Sequence, residues 1–121
     1  AEPALSYDRL AQAGLNTKLG LDYCAGDESF YQEMLRMFCA HGPEKRAEIA
    51  ALYESANWAD YAVKVHALKS TSLTIGAEAL SAQAKELELA GKQGGTDFIR
   101  EHHAALLQAY EELCAEIAET L

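Results

Sequence analysis

The amino-acid sequence predicts an all-α fold, an antiparallel up-and-down four-helix bundle with short N-terminal helices packed across one end. Three observations lead there. Apolar residues recur at spacings of three and four along four long stretches, the period of a helix with one buried stripe, and nowhere alternate as in a strand. Ala, Leu, Glu and Gln are spread along the whole chain, which holds only two prolines. The stretches are joined by about two to six residues, which favours antiparallel neighbours. With 121 residues the chain can bury one core and is short for two, so residues 1–121 read as a single domain.

Residues 5–12 form a short helix, and Asn16 or Thr17 caps another turn through Leu21 before Ala25 and Gly26 break it. Such pieces are too short to be stable alone, so the N-terminal helices, about 5–25, must lie against a bundle of about 27–120. Asp27 caps a longer helix to about His41, with Phe30, Met34, Met37 and Phe38 on its inner side. Gly42 and Pro43 then interrupt the pattern, and Pro43 suits the first position of a renewed helix to about Ala56. One kinked helix and two separate ones fit equally well. Ile49, Leu52 and Tyr53 continue the buried stripe in both cases.

The next helix runs from Asn57 to Gly76. Tyr61, Val65, Leu68 and Ile75, with small Ser72 among them, make its buried stripe. Asn57 caps its start, Asp60 faces the positive end of the dipole, and Gly76 suits the left-handed C-cap position. At about 100° per residue, His66 lies about a third of a turn from the stripe's centre and faces solvent or a partner. Ala77 to Ala90 follows with Leu80, Ala84 and Leu87 inward and Lys85, Glu86 and Glu88 outward, and Gly91 ends it. After a loop at Gly94 and Gly95, Thr96 and Asp97 open the last helix, which presents Ile99, Leu106, Tyr110, Leu113 and Ile117 to about Glu119.

Charge narrows the function. Lys and Arg number 10 against 19 Asp and Glu, a formal net charge of -9 and a pI near 4.8, so nucleic acid and anionic membrane surfaces would be repelled. Cys24, Cys39 and Cys114 are odd in number and lack CxxC spacing, which reads as reduced thiols of a cytoplasmic protein, with no disulfide or metal site. No apolar run approaches the roughly 20 residues of a membrane span, and no signal-peptide pattern opens the chain. The start at Ala1 without a methionine fits equally a trimmed chain and a domain cut from a longer protein.

Around His66 the helix carries Lys69 and Ser70 one turn on, Ala62 one turn before, and Ala59, Val63 and Leu73 beside them. The imidazole thus stands on a surface of small and apolar residues with one ammonium nearby. An imidazole in water titrates near about 6.5, so an exposed one is mostly neutral at pH 7 and keeps a lone pair able to attack phosphorus. Lys69 could pair with phosphoryl oxygens, and small neighbours would let another protein's active site close over the ring. From pattern alone, an ordinary exposed histidine would explain His66 as well.

The run His66-Ala-Leu-Lys69-Ser-Thr-Ser72-Leu-Thr-Ile-Gly76-Ala77 resembles the signature of histidine-containing phosphotransfer (HPt) domains. The resemblance extends to Lys85-Glu86-Leu87-Glu88 and to the entry Asp27-Glu28-Ser29-Phe30-Tyr31, so it spans most of the chain. It departs at one place, where Ser70 stands for the family's glycine. The resemblance implies a phosphoryl carrier of a two-component phosphorelay, not an enzyme. His66 would take a phosphoryl group from a receiver domain's phospho-aspartate, through Nε2, and pass it to another receiver's aspartate. Lys69 and Ser70 would lie next to the phosphoryl group, and Ala59, Ala62, Val63, Leu73, Lys85 and Glu88 would dock the receiver, the last two at the rim. No cofactor is expected on this chain, because the receiver would bring the Mg²⁺. The implied partners are response-regulator receivers and a hybrid sensor kinase, the location cytoplasmic, free or within a membrane-anchored kinase. The acidic surface favours a monomer.

Three other readings compete. A kinase's ATP-binding domain could serve His66 directly; the bundle could bind receivers without transferring phosphate, with Ser70 as the cause; or the bundle could hold a metal or ligand. For the last, His102 and His103 are adjacent and point about 100° apart, which suits surface or rim histidines better than chelation. His41 near a helix C-terminus has a sufficient role at the dipole. Glu111, Glu112, Glu116 and Glu119 read as a solvated face.

Overall fold

Four helices begin on side-chain caps. In the computed structural model, which describes residues 6–121, the side chains of Ser6, Asn16, Asp27 and Asn57 each accept the backbone N–H three residues on. They start α1 (Tyr7–Gln12), α2 (Thr17–Tyr23), α3 (Glu28–Glu54) and α4 (Trp58–Thr74). α5 (Glu78–Gln93) and α6 (Thr96–Thr120) follow Ala77 and Gly95 without a side-chain cap, so the expected capping by Thr96 is not made. Leu5, the first residue of the expected opening helix, lies outside the described residues.

The described chain is all-helical. α3 packs on α4, α4 on α5, α5 on α6 and α6 on α3, which closes a ring of four around one core. Leu35, Ile49, Tyr61, Val65, Leu87, Ile99, Leu106 and Ile117 are fully enclosed there. Each such side chain contributes up to about 1.5–3 kcal/mol on leaving water, so the ring is held by apolar burial more than by its helix propensities. The expected inner positions of α4, α5 and α6 are all buried.

The short helices close one end. α1 contacts α6, and α2 contacts α3 and α4. Past the end of α4, Gly76 adopts φ +87°, its N–H donates to the Leu73 carbonyl at 2.9 Å, and the Ala77 N–H donates to the Ser72 carbonyl at 2.8 Å. This double bond pattern requires a left-handed residue, which only glycine supplies without strain. The Gly76 carbonyl in turn accepts the Asn16 N–H at 2.8 Å, and its bare Cα abuts the Asn16 backbone. Tyr31, fully buried, donates its hydroxyl to the Ile75 carbonyl at 2.8 Å. The end of α4 is thereby tied to both α2 and α3.

Several sequence expectations fail here. α3 runs unbroken through Pro43, which decides the open choice for one helix, and His41, expected near a helix C-terminus, lies in its middle. A proline ring crowds the Cβ of the residue before it; that residue is Gly42, which has none. Gly42 is itself buried against α6, where an added Cβ would lie 3.2 Å from Cys114 Sγ. The inner stripe of α3 is Tyr31, Leu35, Phe38, Gly42 and Ile49, one step from the expected one; Phe30 and Met37 are exposed and Met34 is half-buried. Size drew the reading toward Phe and Met, whereas Tyr31 can go inside because its hydroxyl finds a carbonyl. Gly91 does not end α5, which continues to Gln93 and stops at left-handed Gly94.

His103 is not a surface residue. It is 7% exposed, stacks on Tyr53 with centroids 4.0 Å apart, and lies with Nδ1 2.9 Å from the Tyr61 hydroxyl. Burial depresses its pKa, opposed by the nearby Glu54 charge. Its Nδ1 and the Tyr61 hydroxyl share one hydrogen bond. His102 is exposed, as expected.

Candidate functional site

The site lies where α4 faces α5. Tyr61, Val65, Leu68 and Ser72 fix the rotation of α4 by burying one stripe, and this turns the next positions, Ala62, His66 and Lys69, toward the seam with α5. A serine ties that seam: Ser81 of α5 donates to the Lys69 carbonyl of α4 at 2.9 Å. Gly91 of α5 lies flat against α4, where an added Cβ would sit 3.1 Å from the Ala62 methyl. The helices therefore approach closely beside His66.

Glu88 is the centre of the arrangement. It is only 3% exposed, and its carboxylate meets three partners: His66 Nδ1 at 2.7 Å, Lys69 Nζ at 2.7 Å and Lys92 Nζ at 2.9 Å. Burial alone would raise its pKa, but the hydrogen bonds from Lys69, Lys92 and His66 outweigh that and hold it down at about 2. Glu88 is thus ionised at neutral pH and can only accept. His66 therefore carries a proton on Nδ1, and in the neutral form of the ring the lone pair is on Nε2. The imidazole side chain remains 55% exposed, and Nε2 has no hydrogen-bond partner among the described residues.

This corrects two expectations. Glu88 is no rim contact; it is buried beneath the histidine. An acidic residue on the polar side of a helix reads as outward, and only the pairing with cations from two helices lets it go inside. Nor does a single ammonium stand beside the ring: Lys69, anchored on Glu88 with its side chain 27% exposed, is joined there by Lys92. Two ammonium groups around one carboxylate still leave a unit of positive charge beside the ring.

The other expected residues divide. Ala59, Ala62 and Val63 line a surface recess with His66, Glu88, Gly91 and Lys92; Ala62 is its buried floor, and Val63 stands 63% exposed at its edge. Leu73, half-buried, and Lys85, exposed, do not line this recess. Ser70 is exposed one turn beyond His66. The reading missed Lys92 and Gly91. The spacing of Lys92 four residues after Glu88 was the available signal, hidden by taking Gly91 as a helix stop. Among the described residues no three His, Cys, Asp or Glu side chains gather as metal ligands would, and no helix is long and apolar enough to cross a membrane.

In comparison with protein families, residues 33–118 match the model described as Hpt domain. No curated protein and no solved structure matches the chain.

Proposed function

Because the chain belongs to the Hpt domain family, whose role is histidine phosphotransfer in two-component signalling, we propose that His66 is its phosphoacceptor. The observation that carries this reading is the bond from His66 Nδ1 to the buried Glu88 carboxylate, which supplies an outward, uncharged nucleophilic nitrogen at Nε2. Nε2 forms a bond to phosphorus as the bond to a receiver's aspartyl oxygen breaks, and that electron pair returns to the aspartate. The ring becomes a phospho-imidazolium whose charge Glu88 offsets through Nδ1–H. Passing the group to a second receiver's aspartate reverses these events. The excess positive charge from Lys69 and Lys92 steadies the phosphoryl oxygens.

The receiver, carrying its own Mg²⁺, docks over the recess and the exposed neighbours Ala59, Val63 and Ser70, with Leu73 and Lys85 farther out. A hydroxymethyl group at Ser70 is small enough to fit beneath it. The chain acts as a carrier and not as a catalyst, as a monomer on the cytoplasmic side, and the ring of α3 to α6 is its antiparallel four-helix bundle. The test is incubation with a phosphorylated receiver. Labelling should appear, be acid-labile and vanish in His66→Gln; a label that persists in a folded His66→Gln protein refutes the assignment.

A further inference from the structure

Opposite the site, where α3 meets α6, three groups unconnected with phosphotransfer come together. Cys39 of α3 lies against Cys114 of α6, with Cys39 Sγ 3.5 Å from the Cys114 carbonyl oxygen. Arg46, one turn beyond Gly42, places its guanidinium beside the Cys114 sulfur and over the Tyr110 ring at 5.4 Å. Arg46 Nη1 is buried and has no hydrogen-bond acceptor. The cluster exists because Gly42 lacks a side chain: an added Cβ would lie 2.9 Å from Arg46 Nη1 and 3.2 Å from Cys114 Sγ.

A cation without an acceptor, held against a sulfur, is a setting that favours a thiolate. The neighbouring Cys39 thiol, aided by Arg46 against the cost of burial, lowers the Cys114 pKa, while Cys39 is correspondingly raised. The sulfurs also differ in access. Cys39 is half-buried and reachable, whereas Cys114 is 8% exposed. Cys24 is buried at 3%, its pKa raised by that burial and the nearby Asp27 charge, and no cation supports it.

We propose that Cys39 and Cys114 form a thiol–disulfide exchange site whose co-reactant is a small-molecule disulfide, and that its product is a covalent link between α3 and α6. Cys39, the more exposed sulfur, passes its proton to the Cys114 sulfur beside it and attacks one sulfur of the disulfide, forming a mixed disulfide and releasing one small thiolate. Cys114 sulfur then attacks Cys39 sulfur, the mixed bond breaks, and the second small thiolate leaves. The two protons of the protein thiols go to the two released thiolates. The protein loses two electrons, and the small disulfide gains them. The link spans 75 positions of sequence, a long loop closure that restricts the unfolded chain while leaving the α4–α5 seam untouched.

The experiment is to hold the reduced protein in excess oxidised glutathione and count its thiols. The three free thiols should fall to one, the intact mass should drop by about 2 Da, and a non-reduced peptide map should join Cys39 to Cys114, with reversal by dithiothreitol. The oxidised form should also unfold at a higher temperature than the reduced one. A glutathione adduct that persists, a link through Cys24, a disulfide between two chains, or three thiols surviving conditions that oxidise a small dithiol would each overturn the proposal. Cys39→Ser and Cys114→Ser should each abolish both the link and the thermal shift.

Discussion

Replacing Glu88 by Gln probes a positioning role more than a docking role, because only 3% of the residue is exposed and its carboxylate is engaged by His66, Lys69 and Lys92. The amide keeps the size of the side chain but removes the charge, and it gives an NH2 group that cannot accept from His66 Nδ1–H, Lys69 or Lys92. A hydrogen bond to an ionised partner contributes about 1.5–3 kcal/mol. The His66 bond is worth most in the transition state, when phosphorus bonds to Nε2 and positive charge spreads over the ring. At about 1.36 kcal/mol per tenfold, losing it should slow transfer by roughly 10- to 150-fold. Rapid-quench transfer from a phosphorylated receiver measures this, with the receiver's affinity changing little. Nitrogen NMR of the imidazole should show the proton on Nδ1 in the parent protein and a mixture of tautomers in the variant. A folded Glu88→Gln protein that transfers within about threefold of the parent rate would refute the positioning argument.

Two further outcomes concern stability. Gly76→Ala forces a side chain onto a left-handed backbone, about 1–2 kcal/mol, and drives its methyl into the Asn16 carbonyl; the unfolding midpoint in urea should fall clearly, and an unchanged midpoint would disprove the tie between α2 and α4. On acidification, Glu88 binds its proton near pH 2 when folded against 4.5 in the reference state, so between these values the unfolded chain holds more protons and stability falls as pH drops. His103, depressed by burial, adds a loss of the same sign that begins as pH falls through the ordinary imidazole range. Thermal melts from pH 7 to pH 3 should therefore decline in two stages, with the lower stage absent in Glu88→Gln.

The sequence by itself determined the helices and the exposed histidine. Both depend on local chemistry: the three-and-four spacing of Tyr61, Val65, Leu68 and Ile75 sets the rotation of α4, and Asn57 and Gly76 mark its ends wherever the helix packs. What tertiary structure decided were the choices that need a partner from another helix. Tyr31 enters the core because the Ile75 carbonyl receives its hydroxyl, and His103 does so because Tyr61 and Tyr53 meet it. Pro43 meets no Cβ clash because Gly42 precedes it, and Gly42 itself fits because α6 lies against its bare Cα. Glu88 is the sharpest case. Burying a carboxylate is costly unless cations arrive from elsewhere, and two of its three partners, His66 and Lys69, stand on α4, 22 and 19 positions away. A pattern read along α5 alone places that charge in water; the close approach of α4 and α5 puts it under the histidine.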